Sequence, residues 1–254
     1  MRKVFSIARY TFIEIFRNRA YYVLLLFAIL LIVSSLLLGA LGGEQRSRMI
    51  IDLGLAGIET FSFFVAVFAA VTLILAEMES RTLYLILTRP VLRYEFIVGR
   101  FLGLIMLVTL SFLLMSMGHL ILLAAEHIHV GGHYALSLLY SWEKIVVITG
   151  VGILFSLFST STVSALSFTS FLWILGHFSP EIHFLAGKSS GLALKIICDT
   201  FYYLAPNFSV MNLRDYPAAS LAGSGWLWPA AGYGITYTAV CLALAALLFR
   251  RKEF

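Results

Sequence analysis

The sequence predicts an all-α fold, a polytopic membrane protein of about six transmembrane helices, and three observations predict it. First, 61% of the residues are hydrophobic and 12% charged, against about half and about a quarter in ordinary soluble domains. Second, several uninterrupted apolar runs approach the roughly 20 residues that a helix needs to cross the hydrocarbon core. Third, runs such as 20–41 and 56–76 are apolar on every side, whereas barrel strands alternate apolar and polar at every second residue. Lipid is therefore the solvent, and helices satisfy their backbone polar groups within it.

The elements follow in chain order. Residues 1–18 place Val4, Phe5, Ala8, Phe12, Ile15 and Phe16 on one helical face and Arg2, Lys3, Arg9, Glu14 and Arg17 on the other. That pattern predicts an N-terminal amphipathic helix lying at the membrane interface, basic face toward anionic headgroups. A signal peptide would instead show a short apolar core and a small-residue cleavage site, so this segment is expected to be retained. Spans are predicted near 20–41, 56–76, 96–125, 145–158, 163–178 and 226–249, all within one domain covering 1–254. The fourth and fifth are short and joined by Ser159, Thr160, Ser161 and Thr162, which leaves a broken or re-entrant pair as the alternative. An outer segment, 179–225, is interrupted by Pro180, Pro206 and Pro217, with 192–204 patterned as an amphipathic helix. Gly99 with Gly103 and Gly150 with Gly152 are notches for close helix contact. Trp226, Trp228 and Tyr233 read as an aromatic belt.

The formal charge of +5 is explained by placement rather than by nucleic acid, which is not an expected partner. Twelve of the eighteen Lys and Arg residues fall on one face: five in the N-terminal segment, four in the link after the second span (Arg81, Arg89, Arg93, Arg100) and three in the tail. Arg46, Arg48, Lys144, Lys188, Lys195 and Arg214 fall on the other. The positive-inside rule then puts both termini in the cytoplasm. Cys198 and Cys241 have no metal-ligand or redox spacing and read as small buried residues.

Chemistry concentrates in the link 77–95. Glu77 and Arg81 are spaced to pair on one helix face, Leu83, Ile86 and Leu87 form an apolar face, and Pro90 ends that helix and starts the next. The plain alternative is a solvated turn anchored by snorkelling arginines. No ATPase lies on this chain: Gly187-Lys188-Ser189-Ser190 imitates the end of a phosphate loop, but Ile182 stands where its first glycine is required. His127, His129 and His133, beside Glu126, are the candidate metal ligands of a competing reading, a membrane-embedded enzyme, either lipid-modifying or metal-dependent. That reading lacks a His-Glu-x-x-His motif within a span. His119 lies inside an apolar span and is expected to hydrogen-bond a neighbouring helix. Glu59, Ser62, Thr72, Ser111 and Ser116 are the other polar groups that could line a path.

The link resembles the inner loop of permease subunits of the ATP-binding cassette family's export branch. Those show an acidic residue, Gly-Thr-Leu, a proline-centred basic-aromatic segment and Gly-Lys or Gly-Arg. Here the positions read Glu79, Arg81-Thr82-Leu83, Arg89-Pro90-Val91-Leu92-Arg93 and Gly99-Arg100, with Arg81 replacing the usual glycine. The basic amphipathic start and Leu204-Ala205-Pro206-Asn207-Phe208 extend the likeness over most of the chain. It looks closest to the permease group associated with nitrous oxide reductase maturation. The resemblance implies that 82–90 is a cytoplasmic coupling helix docking on a separate ATPase subunit through Arg81, Thr82, Leu83, Ile86, Leu87, Arg89, Pro90 and Arg93. It further implies two ATPase copies holding ATP and Mg, with no cofactor on this chain. A homodimer or a pairing with a similar permease chain follows, with a periplasmic partner as an option. The membrane is the cytoplasmic membrane of a bacterium or archaeon. The output would be export or mechanical signalling across that membrane.

Overall fold

A computed structural model of the chain describes residues 2–40, 42–79, 92–188, 191–215, 225 and 227–251. Among them the structure is helical throughout: α1 (Arg2–Phe16), α2 (Arg19–Ala40), α3 (Arg46–Glu79), α4 (Arg93–Ala125), α5 (Gly132–Phe158), α6 (Thr162–His177), α7 (Ser179–Lys188), α8 (Leu192–Leu204) and α9 (Leu227–Arg251). Short 3-10 turns lie at Gly43–Gln45, Ser209–Met211 and Leu213–Asp215. The link 80–91, with Arg81, Thr82, Leu83, Ile86, Leu87, Arg89 and Pro90, lies outside the described residues.

By length and composition α3, α4, α5 and α9 can each cross a membrane, and α1 with α2, bent by 69°, makes a fifth span if the pair is taken as one. The fifth expected span coincides with α6, which is apolar but sixteen residues long, about 24 Å at 1.5 Å per residue.

Packing is centred on α3, which touches α2, α4, α5 and α6, while α9 lies on α5 and α4. Ala66, Ala70 and Ile74 of α3 meet Leu104 and Leu107 of α4, Ile148 and Val151 of α5, and Ala245 and Phe249 of α9 in one core. Lipid is as apolar as these side chains, so helix association here rests on close fit rather than on exclusion of water. The fit is closest between α1 and α4. A Cβ on Gly99 would run into Ile7 and the Val4 carbonyl, and one on Gly103 into Thr11 and the Ala8 carbonyl. The predicted notch is real, and α1 occupies it. The buried stripe of α1 is Ala8, Thr11 and Ile15, whereas Phe5 is 65% exposed, so the face turned to protein is more polar than the sequence pattern suggested.

The bundle also extends further outward than expected. α5 begins at Gly132 rather than near 145, because Ser137, Ser141, Glu143 and Lys144 are buried within it. Lys144 is thus an interior residue, not one of the outer-loop cations. His119 of α4 and the Tyr134 hydroxyl of α5 are hydrogen-bonded at 2.8 Å, as an intramembrane histidine requires. Its ring lies against Gly54, where no Cβ fits. Arg46 and Glu126 pair at 2.6 Å across the outer ends of α3 and α4.

The outer segment contains the predicted helix as α8, none of whose residues is buried. The chain then returns: Phe208 N–H donates to the Gly176 carbonyl at 3.0 Å, and Asn207 N–H to the Tyr233 hydroxyl at 2.9 Å. Tyr233 therefore fastens this loop instead of serving the belt, while Trp228 is 84% exposed; Trp226 lies outside the described residues.

Candidate functional site

Two clusters of buried charge lie on α3, one at its C-terminal end and one near its middle. The first is built on Arg100, the eighth residue of α4. The sequence places it among the cytoplasmic cations, but its side chain is 1% exposed. One nitrogen pairs with Glu77 at the end of α3. Another donates to Glu14 of α1 at 3.1 Å and to the Thr11 hydroxyl at 2.9 Å. The guanidinium also lies over the rings of Phe96 and Tyr10. Thr11 and Glu14 are one turn apart on α1 and so present one polar patch, which the glycine notch brings within reach of α4. Taking a charge out of water costs several kcal/mol unless it is paired; here a planar fork with several donors meets two carboxylates and a hydroxyl.

Arg93, about two helical turns before Arg100, is the one expected ATPase contact among the described residues. Its guanidinium donates to the carbonyls of Phe249 at 2.7 Å and Arg250 at 3.0 Å, groups that the end of α9 leaves without helical partners. Phe96 stacks on Phe249 with ring centroids 5.4 Å apart. Glu95 accepts the Leu92 N–H at 3.0 Å and so caps the start of α4. The two roots of the link 80–91 are thus tied to each other, to α1 and to α9.

The second cluster is centred on Glu59 of α3, 3% exposed. Oε1 accepts from Lys144 of α5 at 2.9 Å and lies 3.1 Å from His177 Nε2 of α6. Oε2 accepts from Ser141 at 2.9 Å and Arg214 at 3.2 Å. A cavity of about 190 Å³ lined by Ala56, Glu59, Thr60, Trp173, His177 and Arg214 opens beside it. Sequence reasoning named Glu59 but missed its partners. The available signal was a carboxylate and an ammonium, each set in an apolar helical run, since such charges pair with one another inside a membrane.

The candidate metal ligands of the competing reading do not gather. His127 is exposed with a left-handed φ of 56°, His129 is exposed, and His133 Nε2 donates to the Leu213 carbonyl at 3.0 Å. Among the described residues no three His, Cys, Asp or Glu side chains are placed to hold a metal ion. Cys241 is buried and Cys198 half-buried, both as free thiols. The two charge clusters share one property. What both do is join helices that lie far apart in sequence.

Comparison with known families gives one match: the model described as ABC-2 family transporter protein covers residues 5–254. No curated protein matches the chain.

Proposed function

The chain belongs to the ABC-2 transporter family, and from that premise we propose that its link 80–91 is the element through which a separate ATPase subunit moves the membrane helices. The family assignment makes the chain an ABC transporter permease, a multi-pass membrane protein that partners an ABC ATPase. The coupling role is supported chiefly by the charge cluster around Arg100. A lever transmits force only if its roots are fixed to what must move. Glu77 and Arg100 fasten both roots of the link together, Glu14 adds α1, and Arg93 adds α9.

Within this reading, Arg81, Thr82, Leu83, Ile86, Leu87, Arg89 and Pro90 contact the ATPase, and Arg93 anchors the link from behind. Two ATPase copies carry ATP and Mg, and two permease chains, identical or similar, form the membrane unit. Six spans with α6 as the short fifth crossing, an interfacial start to α1 and cytoplasmic termini complete the topology. The output is export, or a stroke passed to a periplasmic partner, across a bacterial or archaeal inner membrane. Kinship with the nitrous oxide reductase maturation group rests on the sequence resemblance of the link, the basic amphipathic start and Leu204-Ala205-Pro206-Asn207-Phe208. The competing enzyme reading has no assembled histidine site to work with.

The test is co-purification with the ATPase encoded beside it, in lipid nanodiscs, comparing wild type with the Thr82→Pro, Arg89→Glu double variant. Loss of association or of membrane-stimulated ATP hydrolysis in a folded variant is the expected result. Wild-type behaviour in that variant reduces the link to a passive loop.

A further inference from the structure

The fork of Arg214 is only partly spent. One of its nitrogens donates to Glu59 Oε2 at 3.2 Å, longer than the roughly 2.7–2.9 Å of a charge-assisted bond, where arginine often grips a carboxylate through two parallel bonds. Glu59 does not need a second. Its Oε1 already accepts from Lys144 and its Oε2 from Ser141, each at 2.9 Å. A guanidinium carries five N–H donors, and that of Arg214, 21% exposed, lines the cavity of about 190 Å³ beside Glu59. We propose that this cavity is a binding site for a phosphate group, gripped by the remaining donors of Arg214.

The rest of the lining suits the same guest. Thr60, the next residue on α3, is exposed and brings a hydroxyl, and Trp173 of α6 brings an indole N–H, which can only donate. The carboxylate in the wall is occupied by its own donors, and its charge is offset by Lys144, which is wholly buried against it. A guest that accepts hydrogen bonds and carries negative charge is therefore favoured, and a cationic one meets Arg214 and is turned away. The cavity is smaller than the roughly 300–1,000 Å³ of sites that enclose a whole small ligand, so it holds one anionic group whose remainder stays outside. From it α3 runs without a formal charge over 60–76, about 25 Å of helix. That nearly matches the roughly 30 Å of a hydrocarbon core, which puts the cavity at the level where phospholipid headgroups begin. The phosphate is thus borne by a lipid or by a free solute.

The site is built before the guest arrives. Leu213, beside Arg214, is buried, and its carbonyl accepts from His133 at 3.0 Å. Phe208 and Met211 are buried in the same loop, and Phe208 sits where Gly176 has no room for a Cβ. Trp173 is stacked on Phe63 of α3 with centroids 4.7 Å apart. Packing holds these side chains in place, so binding carries little ordering cost. No ATPase takes part, and the test uses the permease alone, so its failure is distinct from failure of the coupling reading.

The experiment titrates the purified full chain, in maltoside micelles that contain no phosphate, with inorganic phosphate in one arm and phosphatidic acid in the other. Binding is read as protein-dependent broadening of the ³¹P resonance. Wild type should bind at least one probe saturably, and Arg214→Gln should weaken that binding about tenfold or more, the factor expected for a charged hydrogen bond. Saturation by phosphatidic acid alone assigns the site to a lipid headgroup, and saturation by inorganic phosphate assigns it to a free anion as well. Because Arg214→Gln also loosens Glu59, Thr60→Val and Trp173→Phe are measured beside it. Each removes one donor and keeps a side chain of similar shape, and at least one should weaken binding about two- to tenfold, as a neutral hydrogen bond does. No saturable binding of either probe, or unchanged binding in Arg214→Gln, overturns the proposal. Wild-type affinity in both Thr60→Val and Trp173→Phe overturns it too, whether or not Arg214→Gln folds.

Discussion

Arg100 shows how much one side chain holds. Replacing it by Met takes from Glu77 and Glu14 the cation they share, and breaking a buried pair from one side costs about 3–5 kcal/mol. Arg100→Met should therefore lower the melting temperature of the purified protein markedly, and adding Glu77→Gln should recover part of the loss because the stranded charge is gone. A melting curve of the double variant no higher than that of the single one removes the pair from the account. Lys144→Met should cost less, since Glu59 keeps Arg214 and Ser141 as donors; thermal melting in the same detergent ranks the two.

At the scale of the element, the contact between α1 and α4 makes the sharpest prediction. Ala8 is 2% exposed against α4, so Ala8→Cys should resist maleimide. With Gly103→Leu added, the new side chain collides with the α1 backbone and the same cysteine should react; continued protection means that α1 is held by something other than the notch. Helices were the legible part of the chain, and α8 was read to its ends, because runs of apolar residues and proline breaks report local geometry directly. α5 was cut short at 145 because Glu143 and Lys144 look like loop residues to any reading based on hydropathy. Whether a charge is solvated or paired depends on a neighbour 85 positions away in sequence, and a single sequence does not carry that distance. Arg100 was misplaced for the same reason. The glycine spacing at 99 and 103 was legible as a notch, but not which helix would fill it.

For the whole molecule, the two clusters set the frame. Eighteen residues separate Glu59 from Glu77, about 27 Å of helix, close to the roughly 30 Å of a hydrocarbon core, and residues 60–76 between them carry no formal charge. That stretch is expected to lie in the hydrocarbon core, with the first turns of α3 beyond its edge. A membrane-impermeant maleimide should label Met49→Cys and not Phe68→Cys, although both positions are exposed on the isolated chain, at 41% and 44%; labelling of both, or of neither, moves the frame. The bond between Thr11 and Arg100 also spans 89 residues of sequence. At roughly 5–20 residues per second of synthesis, α1 leaves the ribosome about 5 to 20 seconds before the helix that receives it exists. Throughout that interval its half-polar face has no protein to rest on and the membrane surface must hold it in waiting. Assembly of this protein is therefore a matter of order in time, with α1 locked only once α4 has been made.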